Sequence, residues 1–93
     1  MNDLARDMLR QAYLDGVPQI VGHFEKDGGK CALGVLGFGA EGSWTTLVQR
    51  YGLTRSLVFC PLCEIAGLEE SDLVAHLNDE HLLDFAKIAE VAP

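Results

Sequence analysis

The strongest constraint in this sequence is a spacing, Cys60-x2-Cys63-x12-His76-x4-His81. Two thiolates two residues apart can fold around one ion as a tight knuckle. A helix then brings back one imidazole, and a second follows a little over one turn later; this ligand order and these gaps are those of a tetrahedral zinc site. Pro61 inside the knuckle and the short extended run Ser56-Leu57-Val58-Phe59 before it suit that turn. A chain of 93 residues buries only about 60–65% of its extended surface on folding, so a core alone is marginal and a staple such as a disulfide or metal is to be looked for. The sequence therefore predicts a structural Zn2+ held by Cys60, Cys63, His76 and His81. Four protein ligands close the tetrahedron, whereas catalytic zinc usually keeps a position for water.

Other chemistries for these residues can be weighed. Cys60 and Cys63 could be small buried hydrophobes and His76, beside Leu73 and Leu77, a satisfied core histidine, but two independent pairs then coincide by chance. A thioredoxin-like redox pair needs its Cys-x-x-Cys to open a helix in a βαβ setting, and Pro61 followed by Glu64-Ile65-Ala66-Gly67 offers no such start. Were His81 free, Glu80 or Asp79 could serve as the base of a small zinc-dependent hydrolase. The string His76-Leu77-Asn78-Asp79-Glu80-His81 is too compact for an HNH nuclease, whose His, Asn and His lie much farther apart on a ββα frame.

The same spacing fits a DNA-reading finger, which charge argues against. Such a finger carries a Leu three residues before its first His, here Leu73, and an aromatic four residues after its second Cys, where this chain has Gly67. The base-reading positions fall on Glu69, Asp72 and Ala75. None can pair with guanine as Arg does, and two are repelled by phosphate. The rest of the charge agrees. Residues 1–59 contain six acids and six bases, while residues 60–93 contain eight acids against Lys87 alone, so the last third carries the whole formal charge of −7.

Along the chain, Leu4, Ala5, Met8, Leu9, Ala12 and Tyr13 recur at helical spacing and predict a helix from Asp3 to Asp15, opened by Asn2 and stopped by Gly16 and Pro18. Gln19-Ile20-Val21-Gly22-His23-Phe24 reads as a strand and Lys26-Asp27-Gly28-Gly29 as the turn ending it. The run Cys31 to Gly39 is apolar and buried whatever its shape; its glycines invite close approach of another backbone, and a short helix is expected. Ser43 caps a helix to Tyr51 whose Trp44, Leu47, Val48 and Tyr51 share one face, with Trp44 expected in the core. Ser71 opens a helix carrying Leu73, Val74 and Leu77, with a polar break at Asn78-Asp79. A last helix after Asp84 places Phe85, Ile88, Ala89 and Ala92 on one face. The expected fold is a single α+β domain over residues 1–93, mostly α, with four or five short helices, a minimal β-hairpin and a zinc-stapled segment from residue 60 onward.

The remaining candidates are weaker. Cys31, between Lys30 and Ala32, is expected to be a buried small hydrophobe, with a reactive thiol as the other reading. His23 is expected to face solvent, and Gly34, Gly37, Gly39 and Gly42 lack the Lys-Ser/Thr of a phosphate loop. No catalytic set stands out. No apolar run approaches the roughly 18 residues of a membrane span, and Met1-Asn2-Asp3-Leu4 does not start a secretory leader, so a cytoplasmic location without membrane insertion is expected.

Cys31-Ala32-Leu33-Gly34-Val35-Leu36, then His76-Leu77-Asn78-Asp79-x-His81 and Ile88-Ala89, resemble a family of small uncharacterised proteins of actinobacteria and their phages, which share a Cys-Ala-Leu-Gly segment and a C-terminal His-Leu-Asn-Asp motif. Where that family commonly has an aromatic and a Ser before the last helix, this chain has Leu83 and Asp84. The resemblance implies a phage or actinobacterial cytoplasmic setting and no particular activity. Relatives can carry the His-Leu-Asn-Asp string without the cysteines, which implies a structural role for His76 independent of metal. With no catalytic set and one concentrated acidic segment, the sequence points to a non-catalytic protein-binding module, which in the setting the resemblance implies is expected to be a phage accessory protein that binds and inhibits or redirects a host protein with a basic surface. The alternative class is an acidic nucleic-acid mimic that occupies a DNA-binding or defence enzyme; direct nucleic-acid binding is not expected.

Overall fold

A computed structural model of the chain describes residues 1–38 and 44–93. The cap at Ser43, together with Gly39 and Gly42, lies outside the described residues. The first helix, α1, spans Asp3–Leu14, and Asn2 accepts the Ala5 N–H through its side-chain oxygen while its amide donates to the Arg50 carbonyl at 2.8 Å. One residue thus caps the start of a helix and holds the end of another. Ala5, Leu9 and Ala12 form the buried stripe of α1.

The extended run expected at 19–24 is not a strand. Gln19 makes one isolated bridge with Lys30, and Gly22, at φ +77°, turns the chain before a ladder can form. The hairpin sits just beyond, with β1 at Glu25–Lys26 and β2 at Gly29–Lys30 in antiparallel register. Asp27 and Gly28 both have positive φ, the conformation that a two-residue hairpin loop requires.

The apolar run that follows is a single helical turn, α2, Ala32–Val35. Its Gly34 explains the close-packing expectation: a Cβ there would sit 1.8 Å from the Phe24 carbonyl oxygen, which also accepts the Cys31 N–H. α3 covers Trp44–Gln49. Leu47 and Tyr51 are buried, but Trp44 is 47% exposed and Val48 half-exposed, so only part of the expected face reaches the core. Trp44 instead packs at the surface on Phe38, with ring centroids 5.2 Å apart.

Two further strands, β3 at Leu57–Val58 and β4 at Leu68–Glu69, pair antiparallel with Leu57 opposite Glu69 and Val58 opposite Leu68. α4, Glu70–Asp79, follows at once. Ser71 is not its cap: it is buried inside the first turn, and Glu69 holds the cap position without a side-chain hydrogen bond. The polar break expected at Asn78-Asp79 is also absent, since α4 runs through both. Asp84 caps α5, Phe85–Val91, by accepting the Lys87 N–H, and Phe85, Ile88, Ala89 and Ala92 are all buried as their spacing predicts.

The core lies where α1, α2, α4 and α5 meet, with Leu9, Leu36, Leu47, Leu73, Leu77, Phe85 and Ile88 at its centre. Arg6 ties α1 to α5 by donating to the Ala89 carbonyl and, at 2.9 Å, to that of Ala92, near the negative end of the α5 dipole. The result is the mostly helical α+β fold expected, with five helices and two minimal antiparallel strand pairs among the described residues. Among these residues no helix is long and apolar enough to cross a membrane.

Candidate metal centre

The β3–β4 pair brackets the segment 59–67, so Cys60 and Cys63 ride on the loop of a minimal hairpin, and α4 leaves directly from its second strand. This is a ββα frame. Inside the loop the Cys60 carbonyl accepts the Glu64 N–H at 2.8 Å, and the Cys60 N–H donates to the Ile65 carbonyl at 2.8 Å. Glu64 takes a left-handed conformation, φ +63°, to close the turn. The Leu62 N–H donates to the Cys60 sulfur at 3.4 Å.

α4 supplies the imidazoles. His76 lies in its last turn, where five further residues of helix would rotate His81 about 140° away from it. The helix stops first: the His76 carbonyl accepts the N–H groups of both Glu80 and His81, and Leu82 turns left-handed at φ +54°. That ending swings His81 back beside His76, ring centroids 4.8 Å apart and nearly perpendicular.

All four donor atoms lie within 4.8 Å of one another. The Cys60 sulfur is 3.4 Å from His81 Nε2 and the Cys63 sulfur 3.3 Å from His76 Nε2. Around a tetrahedral zinc with Zn–S about 2.3 Å and Zn–N about 2.05 Å, the S···N edge is about 3.5 Å. The donor set and these two edges fit such an ion, and the full set, spread over 4.8 Å, would draw in by about 1 Å to close the tetrahedron. The site is graded in exposure: Cys60 is fully buried, the histidines are half-buried and Cys63 faces solvent. Burial pushes the Cys60 thiol up, but the N–H groups of Leu62 and Cys63 and the Cys63 side chain outweigh it and hold the thiol below its ordinary value, toward the thiolate that metals bind.

The ββα frame bears on the finger comparison. Helix α4 starts at Glu70, so Glu69, Asp72 and Ala75 do stand at the finger's base-reading positions. Glu69 is paired with Arg55 at 3.2 Å and Asp72 is exposed. Val74 and Leu77, on the same helix, are buried against the rest of the fold. The frame also meets one requirement of an HNH nuclease, whose exclusion now rests on spacing alone.

Asn78 is the residue that the sequence reading missed. It is only 1% exposed, and its side chain joins three segments: Oδ1 accepts from the Ala32 N–H at 3.0 Å and from Gln19 Nε2 at 2.8 Å, while Nδ2 donates to the Ile20 carbonyl at 2.9 Å and to Asp79. Through it, the turn of helix that carries His76 is fastened to α2 and to the segment before the first hairpin. The role is independent of metal, and it gives the His-Leu-Asn-Asp string a structural purpose; the available signal was an amide two residues beyond a metal-spaced His.

The weaker candidates separate. Cys31 is buried in the core and stands apart from the cluster of four; burial pushes its thiol up, against the N–H groups of Gly34 and Leu33, so it has the character of a small hydrophobe. His23 is exposed and outside the cluster. Comparison with known proteins adds no relative: no family model matches the chain, and no curated protein and no solved structure matches it.

Proposed function

We propose that this chain is a non-catalytic, zinc-stapled module that binds another protein through its acidic last third. The observation carrying this reading is the convergence of Cys60, Cys63, His76 and His81 on a ββα frame whose would-be reading face is acidic. Zinc is the metal that two thiolates and two imidazoles at these spacings favour, and four ligands give it a structural role. Residues 60–93 supply the recognition. Lys87, the only base among them, is paired with Glu90, and Glu64, Asp72 and Glu80 have no basic partner among the described residues. Such a field steers a basic protein surface toward the module and repels phosphate. In the setting that the sequence resemblance implies, the partner is a host protein met in the cytoplasm. The test is metal content together with DNA binding. Protein purified without added metal should carry one zinc per chain and show no affinity for duplex DNA; metal-free protein that is stably folded, or salt-sensitive DNA binding, contradicts the reading.

A further inference from the structure

Four large apolar side chains left in solvent fall within nine consecutive positions: Leu57 (68% exposed), Phe59 (62%), Leu62 (49%) and Ile65 (50%). They flank and fill the knuckle. In a free-standing finger an aromatic four residues after the second Cys packs inward, but Gly67 holds that place here; Val58 and Leu68 pack on the core, while Leu57, Phe59, Leu62 and Ile65 are left in solvent. Leu57, Val58 and Phe59 form one wall of a groove of about 320 Å³, and Pro61, Val91 and Pro93 complete it. A cluster of this kind contributes nothing to the core and favours association, which is the mark of an interaction surface.

We infer that this groove is the docking site for a short segment of a partner protein that carries one or two large apolar residues flanked by Lys or Arg. The inference rests on the reading of the chain as a protein-binding module and gives that module its contact surface. Charge selects the occupant. Glu64 lies inside the apolar stretch, between Cys63 and Ile65, without an ion-pair partner among the described residues. Arg55, two residues before Leu57, is committed to Glu69, and Lys87 to Glu90. A second copy of this chain would bring two segments of charge −7 face to face, and an acidic segment would be repelled in the same way. A basic and apolar segment satisfies both the groove and its surroundings. The groove's volume suits one aromatic or a pair of aliphatic anchors, the kind of residue that dominates binding energy at interfaces.

The test is selection of random short peptides on the zinc-loaded full chain, followed by titration of the enriched peptides against variants. The enriched peptides should share one or two large apolar residues with Lys or Arg beside them and bind more weakly as salt rises. Phe59→Ser and Leu57→Ser should each weaken binding about tenfold or more while leaving the melt and zinc content unchanged, because both side chains are exposed. Leu14→Ser, exposed on α1, should change nothing. Enriched peptides without basic residues overturn the inference, as does a dimer abolished by Phe59→Ser, which would assign the groove to a second copy. Peptides indifferent to both substitutions overturn the groove but leave protein binding standing elsewhere. If no peptide is enriched, the groove is not a peptide site, and the module reading stands or falls separately on its metal and DNA measurements.

Discussion

The pair α1 and α5 and the segment 57–69 treat their apolar residues in opposite ways. In the helices, Leu9, Phe85, Ile88 and Ala89 are buried, the ends are capped by Asn2 and Asp84, and Arg6 ties one helix to the other. In the segment, two strands of two residues each frame a loop whose large apolar side chains face solvent. Burial can hold the first region. It does less in the second, where Val58 and Leu68 are half-buried against the core and Cys60, the one buried residue of the loop 59–67, is itself a candidate ligand. Packing is thus concentrated in the helices, and the segment 57–69 brings together a candidate ion site beside apolar side chains left in solvent.

That contrast can be broken most severely by removing the metal. Ligand coordination in peptide-sized sites is worth on the order of 10 kcal/mol, and each kcal/mol moves the melting of a domain this size by about 4–8 °C. Excess chelator should therefore lower the melting temperature by tens of degrees, and an unchanged melt would mean that packing alone sustains both regions. Phe85→Ala attacks the other side. It should cost about 3–5 kcal/mol in a denaturant melt while the folded protein still binds one zinc; loss of metal in the folded variant would show that the two regions are not separable. Asn78→Ala strikes the junction. It strands the Ala32 N–H and the Ile20 carbonyl, and the expected loss is about 2–4 kcal/mol, larger than the same change at exposed Asp72. Glu64→Gly is the gentlest, relieving a left-handed residue in the knuckle; a gain of about 0.5 kcal/mol is expected, and a loss would assign Glu64 a contact that stabilises the loop.

What could be read in the sequence was whatever is written in local spacing. α1 and α5 announce themselves through caps and an i, i+3, i+4, i+7 stripe, and the four candidate ligands through their gaps, because a knuckle and one helical turn fix those distances. What could not be read depends on neighbours remote in sequence. Periodicity placed Trp44 and Val48 on the face of Leu47, yet among the described residues only Leu47 and Tyr51 of that face are buried. The extended run 19–24 fails as a strand because Gly22 bends it away from its partner. Asn78 looks like a helix breaker in one dimension, and only the carbonyl of Ile20 and the N–H of Ala32, brought from dozens of residues away, make it a clamp. The exposure of Leu57 and Phe59 was equally hidden, since a short extended run before a cysteine pair does not say which of its faces meets the core.

The central claim is that Cys60, Cys63, His76 and His81 bind one ion together. Cobalt(II) titration of the metal-free chain tests it directly, since cobalt reports both its coordination number and its sulfur ligands in the visible and near-ultraviolet. The account predicts absorbance that saturates at one equivalent, with the strong visible bands of a four-coordinate ion and thiolate-to-cobalt charge transfer, all displaced by zinc. Weak six-coordinate bands, or no saturable absorbance, would contradict it.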